Sequence, residues 1–243
     1  MKQIAPNIYV EDGYRGVTVG CILTQVGVIC IDSPMLPSDA RDWRAKIARH
    51  TNKPVRYLVL TDAHRDRIIG AQYLGGTLVA HENTWEKLKG LGEAFRQQAV
   101  ESVLPCSAEA AAQVAADWRS LLPEITFTGK LALHKGDIPV LLEYVGDATP
   151  ASIWVHLPRQ SVLFMGDLAV SKTHPLVAEA DLPAWLERLA WVQAEFPVKT
   201  IVPGRGGVCS KAALAELAAY LEAMRAGVQA HIKLRRPKTE LAQ

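Results

Sequence analysis

Strand-like and helix-like segments alternate in this chain in a way that defines two similar halves. The first half opens with the β-rich run "TVGCILTQVGVICID" at 18–32, and the second half opens with a β-rich stretch at 125–165. In each half, apolar strands are then followed by segments with apolar residues at helical spacing. Two sheets packed face to face, with helices on their outer sides, bury all of these apolar faces. The sequence therefore predicts an α/β (α+β) fold with four layers, an αββα sandwich.

The domain organisation follows from the length and the absence of breaks. A chain of 243 residues is long enough for one large domain with a sizeable core. No internal repeat and no Gly/Ser-rich linker divides it. The basic segment "KLRRPK" begins at 233, near the end of the chain. We therefore predict one domain over 1–232 and a solvated basic tail over 233–243.

Charge and cysteine usage restrict the partners and the compartment. The net charge of +2 is too small to indicate nucleic acid or a membrane surface as a partner. No apolar run approaches the roughly 20 residues needed to span a bilayer, and the N-terminal segment lacks the apolar region of a secretion signal. The four cysteines have no framework spacing. We therefore expect free thiols and a cytoplasmic location.

Ionisable residues collect in four loops, each of which follows an apolar strand. Ligand sites usually form at the carboxyl ends of strands in sheets that helices cover, so four such loops predict a shared cleft. The residues in these loops are Asp62, His64, Asp66 and Arg67 after "LVL", Asp147 after "LLEYVG", Asp167 after "VLFMG", and Arg205 after "TIVPG".

These loops carry a family resemblance. The segments "TDAHRDR", "GDATPAS", "VLFMGDL" and "IVPGRGG", in this order, resemble the metallo-β-lactamase superfamily. In that family the four loops read T-H-x-H-x-D-H, G-x-H-T-P, F-x-G-D and P-G-H-G. The resemblance covers essentially the whole chain. It implies an αββα sandwich with the site along one edge of the two sheets, and a hydrolase that uses two metal ions.

The chain departs from the family at its metal ligands. One metal of the family is held by the two histidines of the first loop and the histidine of the second. The other is held by the first loop's aspartate and last histidine and by the histidine of the fourth loop, and the third loop's aspartate bridges both. The corresponding residues here are Asp62, His64 and Ala148 for the first metal, Asp66, Arg67 and Arg205 for the second, and Asp167 as the bridge.

The second metal position is the more altered of the two. Arginine stays protonated and repels a nearby cation, so Arg67 and Arg205 indicate that this position holds no metal. We expect them to form ion pairs with Asp66 and Asp167. The alternative is that both arginines simply face solvent.

The first metal position keeps some ligand chemistry. Asp62, His64 and Asp167 could bind one divalent ion such as Zn, Fe or Mn, and Asp147 is a conceivable fourth ligand. His174 follows the third loop and could overlook the same pocket.

Two functional hypotheses follow from these substitutions. The first is a metal-independent pseudoenzyme, or a binder of a small and possibly anionic molecule, in which Arg67, Arg205, Asp147 and His174 contact the ligand and no cofactor is required. The second is a hydrolase of an ester, lactone, thioester or amide that uses a single metal at Asp62, His64 and Asp167, with His64 and Asp66 as catalytic residues. A nucleic-acid-processing role lacks support, because the chain has no added nuclease-type domain and no aromatic–basic surface. The sequence leaves the oligomeric state open.

Overall fold

A computed structural model describes residues 1–119, 121–136 and 138–234. In this part of the chain, twelve strands form two sheets. The first sheet contains β1 (Lys2–Ala5), β2 (Ile8–Glu11), β3 (Val19–Thr24), β4 (Gly27–Ile31), β5 (Val55–Val59), β6 (Thr77–His81) and β7 (Ile125–Phe127). The second contains β8 (Lys130–Lys135), β9 (Ile138–Tyr144), β10 (Ile153–Leu157), β11 (Val162–Val170) and β12 (Thr200–Arg205). The helices are α1 (Pro37–Ala48), α2 (Ala71–Leu74), α3 (Glu82–Leu91), α4 (Glu93–Val103), α5 (Ala108–Asp117), α6 (Leu182–Ala194) and α7 (Lys211–Lys233).

The first sheet follows the order of the chain and changes direction half-way. Strands β1 to β4 pair antiparallel, and β4 to β7 pair parallel. Each parallel pair requires a crossover, and α1 supplies the one between β4 and β5. Because β4 and β5 run parallel, their carboxyl ends lie at the same edge of the sheet.

The second sheet has the order β12-β11-β10-β9-β8. Its strands pair antiparallel except for β11 and β12, which run parallel and are joined through α6. The carboxyl ends of β11 and β12 therefore also share one edge.

The side chains divide between the faces of the sheets with the alternation expected of strands. On β11, Val162 and Phe164 belong to the core between the two sheets, whereas Leu163 and Met165 pack with residues of α6 and α7. Helices α1, α2 and α3 cover the outer face of the first sheet in the same way. The order of layers is helices, sheet, sheet, helices. The predicted four-layer αββα fold is confirmed.

The C-terminal helix passes the predicted domain boundary by one residue. Helix α7 ends at Lys233 and Leu234 caps it; the rest of the predicted basic tail, 235–243, lies outside the described residues. The division into a domain over 1–232 and a tail stays a prediction. Among the helices of the described part, none has the length and apolar character needed to cross a membrane.

Candidate functional site

The parallel strands of both sheets deliver charged side chains to one place. Asp32 directly follows β4, the loop after β5 contains 61–67, Asp167 lies within β11, and Arg205 is the last residue of β12. The loop after β5 ends in a short 3₁₀ turn, Arg65–Arg67. Three of the four loops predicted to share a cleft therefore meet.

Arg67 lies at the centre of this cluster and is fully buried, with 0% of its side chain exposed. Its guanidinium contacts three carboxylates. Nη1 donates to Asp32 Oδ2 at 2.9 Å, Nη2 donates to Asp167 Oδ1, and Nε lies 3.1 Å from Asp62 Oδ1. Nη1 also donates to the hydroxyl of Thr61 at 2.8 Å. One buried cation thus holds together side chains from β4, β11 and the loop after β5.

Arg205 forms a second, outer set of ion pairs. Its Nε and Nη2 donate to Asp167 Oδ2 at 3.2 and 3.0 Å, and its Nη1 donates to Asp66 Oδ2 and to the carbonyl oxygen of Gly16. Arg205 is 11% exposed, so this pairing forms the partly solvated rim of the cluster. The expectation that the arginines pair with Asp66 and Asp167 agrees with these contacts, and neither guanidinium simply faces solvent.

His64 joins two of the carboxylates that Arg67 contacts. Its Nδ1 lies 3.0 Å from Asp62 Oδ2 and 3.0 Å from Asp167 Oδ2. The Asp62 carboxylate also accepts a hydrogen bond from the backbone N–H of His64 at 2.8 Å. Ligand atoms of Asp62, His64 and Asp167 all lie within 4.8 Å of one another, so these three residues could hold a metal ion.

The charges in the cluster shift each other's pKa. Burial alone would raise the pKa of Asp167, but Arg67, His64 and Arg205 hold it well below its usual range. Burial alone would lower the pKa of His64, but Asp62 and Asp167 raise it to about 10. The imidazole is therefore a cation at neutral pH.

The pKa values of Asp32 and Asp62 shift in opposite directions, although Arg67 lowers both. Burial raises the pKa of Asp32 to about 6, and the nearby Arg67 only partly offsets it. Burial also acts to raise the pKa of Asp62, yet Arg67 and His64 together lower it. Asp32 is also one of the few residues other than glycine with a left-handed backbone, at φ 56°. Such a conformation persists only where surrounding contacts enforce it.

Two glycines allow the strands to approach this closely. A Cβ added at Gly204 on β12 would lie 2.5 Å from Asp167 Oδ1. A Cβ added at Gly166, whose φ is +54°, would lie 2.7 Å from Thr61 Oγ1. The glycines of "VLFMGDL" and "IVPGRGG" therefore permit the contact between the Asp167 carboxylate and its neighbours.

A small cavity opens the cluster to solvent. It has a volume of about 200 Å³ and is lined by Met35, His64, Arg65, Asp66, Ser102 and Leu176. Asp66 Oδ1 is buried and accepts no hydrogen bond from the described residues, whereas Asp66 Oδ2 is paired with Arg205. His64 and Asp66 therefore connect the cluster to this cavity.

Two residues predicted to share the pocket lie elsewhere. Asp147 accepts a hydrogen bond from Arg188 Nε on α6 at 2.9 Å and borders a separate depression along that helix. His174 pairs through Nδ1 with the hydroxyl of Tyr220 on α7 and lines a cavity of about 340 Å³ between that helix and the loop after β11. Ala148, at the position of the second-loop histidine, is buried and offers no ligand atom.

Asp32 and Thr61 also belong to the site, although neither was predicted from the sequence. Asp32 is anchored by Thr61, whose backbone N–H and hydroxyl donate to its two oxygens at 2.8 and 2.7 Å. A signal for Asp32 was available, because it follows the apolar run "GVICI" in the same strand-then-aspartate pattern as the other loops.

Comparison with known proteins identifies the family to which this cluster belongs. The sequence profile of the metallo-beta-lactamase superfamily matches residues 21–205, which includes every residue of the cluster described above except Gly16. The chain belongs to the metallo-beta-lactamase superfamily.

Several solved structures are similar to this fold. A metallo-beta-lactamase from Pontibacter korlensis superposes with a TM-score of 0.66 and 22% identity, covering 91% of this chain and 97% of that one. The DIM-1 metallo-beta-lactamase gives a TM-score of 0.67 and 18% identity, with coverage of 91% and 95%. The inverting sec-alkylsulfatase Pisa1 from Pseudomonas sp. gives a TM-score of 0.72 at 15% identity, where this chain spans 43% of that protein. At these identities the likeness establishes the fold.

Members of the metallo-beta-lactamase superfamily typically bind divalent metals, so the donor set of this chain must be compared with that requirement. Two carboxylates and one imidazole, from Asp62, Asp167 and His64, suit one divalent ion. The same carboxylate oxygens, however, already contact N–H groups of Arg67, Arg205 and His64.

Proposed function

We propose that this chain is a metal-independent member of the metallo-beta-lactamase superfamily that binds a small anionic molecule, with a pocket held together by Asp–Arg pairs. The observation that carries the proposal is the buried guanidinium of Arg67, which contacts Asp32, Asp62 and Asp167 together. A fully buried arginine with three carboxylate partners supplies the positive charge that a metal ion would otherwise provide.

The residues at the superfamily's ligand positions support this proposal. Arg67, Arg205 and Ala148 stand where the family pattern has histidine, and none of them carries an atom that coordinates a divalent ion. An ion placed near Asp167 would also lie close to both guanidiniums. Like charges at such separations repel strongly where burial lowers the effective dielectric constant.

The chemistry of the cavity supports an anionic ligand. His64 and Arg65 both line it, and the ring of His64 uses Nδ1 for Asp62 and Asp167, which leaves Nε2 as a donor for a ligand. Asp66 Oδ1 accepts no hydrogen bond within the described part of the chain, so a donor group of the ligand can satisfy it. A small anion that also carries a hydroxyl or an amide N–H would accept from His64 Nε2 and donate to Asp66 Oδ1. Met35 and Leu176, which also line the cavity, would contact its apolar part.

Metal content is the test of metal independence. After mild dialysis, elemental analysis of the purified protein should find Zn, Fe and Mn far below one atom per chain. Addition of Zn²⁺ or Mn²⁺ should leave the melting temperature unchanged, because a ligand specific for the folded state would raise it. Stoichiometric metal that survives dialysis would overturn the proposal.

A matched variant shows that the assay can detect a metal site. Replacing Asp62→His, Arg67→His and Arg205→His together returns three imidazoles to positions that hold histidine in the superfamily pattern and removes both guanidiniums. We expect Zn²⁺ to raise the melting temperature of this variant and not that of the unmodified protein.

Anion binding is measured separately. Phosphate, sulfate and a small hydroxy acid such as lactate are titrated while the melting temperature is recorded. We expect the hydroxy acid to stabilise the protein most and Arg65→Ala to reduce the effect. If no anion changes the melting temperature, the binding part of the proposal fails.

A hydrolase with one metal ion is the second candidate, and the convergence of Asp62, His64 and Asp167 favours it. A divalent ion bound there would supply an activated water for cleavage of an ester, lactone, thioester or amide. In this chain Asp66, with its free Oδ1, would be the proton acceptor. The activity should be abolished by chelator and by His64→Ala, and insensitivity to chelator would exclude this candidate.

For the setting of the protein we propose a reducing, cytoplasmic compartment without a nucleic-acid or membrane partner. The four cysteines are unpaired, and the net charge is near zero. Cell fractionation with an antibody against the chain tests this directly.

A further inference from the structure

The hairpin of β3 and β4 places two cysteines opposite each other. The register pairs Thr24 with Gly27 at the turn and Cys21 with Cys30 further along the strands. Both side chains point to the outer face of the sheet, where α1 covers them, and both are fully buried. Neither is part of the candidate functional site.

Hydrogen bonds outside the hairpin indicate whether Cys21 and Cys30 form a hydrogen-bonded or a non-hydrogen-bonded cross-strand pair. The N–H of Leu23 donates to the carbonyl of Asn7 at 2.8 Å, and the N–H of Val28 donates to the carbonyl of Pro54 at 2.9 Å. Leu23 and Val28 face each other in the register, so they form a non-hydrogen-bonded pair. The two kinds of pair alternate along an antiparallel ladder. Cys21 and Cys30, two positions further on, are therefore also a non-hydrogen-bonded pair.

This kind of pair brings side chains closest together. Opposite Cα atoms in non-hydrogen-bonded pairs are roughly 4.5 Å apart, which falls at the short end of the range that a disulfide spans, about 4.4–6.8 Å. We propose that Cys21 and Cys30 form a redox-active dithiol that closes to a cross-strand disulfide, a covalent modification site in the sheet beside the aspartate cluster. Because thiol–disulfide exchange is reversible, excess reduced thiol opens the bond again.

The order of folding gives the oxidant access. In the folded protein both thiols are enclosed, and burial raises the pKa of Cys30 to about 12, which keeps the reactive thiolate scarce. The hairpin is local, however, with a turn of two residues, and hairpins form within microseconds. Disulfide exchange takes seconds to hours, so the oxidant acts on the unfolded chain, in which this local hairpin brings the two thiols together while α1 does not cover them. The bond forms by exchange, in which two protein thiols react with one glutathione disulfide to give the protein disulfide and two molecules of glutathione.

The position of the pair links it to the cluster. Cys30 is two residues before Asp32, the carboxylate that anchors Arg67 from β4. A disulfide here fixes β3 to β4 just before the chain enters the left-handed turn at Asp32. This inference rests on the hairpin alone and does not depend on the proposed function.

The test is refolding in glutathione buffers. The denatured, reduced protein is refolded with excess oxidised glutathione, and free thiols are then blocked with iodoacetamide under denaturing conditions. We expect an intact mass that shows two alkylated cysteines in place of four, with peptide mapping that links Cys21 to Cys30. Excess reduced glutathione should return all four thiols.

Matched variants keep the test decisive. Cys106→Ser combined with Cys209→Ser leaves only the hairpin pair and should still lose both thiols on oxidation. Cys21→Ser and, independently, Cys30→Ser should retain three alkylated cysteines. A link between Cys106 and Cys209, a glutathione adduct on the hairpin, or four alkylated cysteines after oxidative refolding would overturn the proposal.

Discussion

Two groups of aspartate–arginine ion pairs in this protein have the same chemistry but very different surroundings. Arg67 is 0% exposed and contacts three carboxylates. Arg188 is 36% exposed and, among the described residues, forms an ion pair only with Asp147, which is 7% exposed. Both aspartate-bearing loops follow apolar strands, and the sequence analysis assigned Asp147 and the Arg67 loop to one pocket. We expect solvent access, more than residue type, to determine how much an ion pair contributes to the stability of the fold. In the buried cluster, water cannot replace a lost ion-pair partner. Where one side chain is partly exposed, as Arg188 is, water can solvate the charge that remains.

The largest effect is expected from Arg67→Met. This change removes the cation and leaves Asp62 and Asp167 buried with reduced compensation. Breaking a buried ion pair from one side typically costs about 3–5 kcal/mol. Urea denaturation at pH 7 should show a loss of that order in the free energy of unfolding. A loss below about 1 kcal/mol, the value typical of a surface pair, would remove the distinction between the two regions.

The second largest effect is a loss of folding stability as the pH becomes alkaline. The folded-state pKa of His64 is about 10, above its ordinary value of 6.5, because Asp62 and Asp167 stabilise the charged ring. A raised pKa means that the folded state holds the proton more tightly than the unfolded state. The stabilisation is complete below pH 6.5 and is lost as the pH rises through about 10. It is of the order of a few kcal/mol.

Denaturation curves at intervals between pH 6 and pH 10 measure this loss. The control is His64→Gln, which cannot take up the proton, so its free energy of unfolding should decline less over the same range. Parallel curves for the two proteins would show that His64 is not charged in the folded state.

An intermediate effect is expected for the rim of the cluster. Arg205→Gln removes the charge that pairs with Asp66 and Asp167 but leaves Arg67 in place. Because Arg205 is partly solvated, the loss should be about 1–3 kcal/mol, as for hydrogen bonds to charged groups. A loss as large as that of Arg67→Met would mean that the cluster has no solvated rim.

The smallest effect is expected for Arg188→Gln. Asp147 is buried, but Arg188 is 36% exposed, so solvent screens the pair from one side. We therefore expect a coupling energy close to the roughly 0.2–1 kcal/mol that double-mutant cycles give for exposed pairs. The double-mutant cycle of Arg188→Gln with Asp147→Asn should therefore yield a coupling energy well below the loss of unfolding free energy expected for Arg67→Met. A coupling energy above about 2 kcal/mol would mean that this partly exposed pair stabilises the protein as much as a buried ion pair does.

The sequence predicted the layers of the fold and most of the cluster, for identifiable reasons. Strand and helix periodicities are local, and they predicted the αββα layers. Charge chemistry predicted that the arginines pair with Asp66 and Asp167. The direction in which a loop side chain points depends on the strands around it, so Asp147 and His174 could not be placed from the sequence. Asp32 lies in a fifth loop of the same pattern and was overlooked.

We propose that the guanidiniums of Arg67 and Arg205 supply the positive charge that a metal ion would otherwise provide beside Asp167. The most direct measurement is a high-resolution crystal structure of protein soaked in Zn²⁺, with anomalous scattering recorded at the zinc edge. The account predicts no anomalous peak between Asp62, His64 and Asp167, with both guanidiniums in contact with Asp167. A peak within coordination distance of these residues, with the Arg67 side chain turned away, would contradict it.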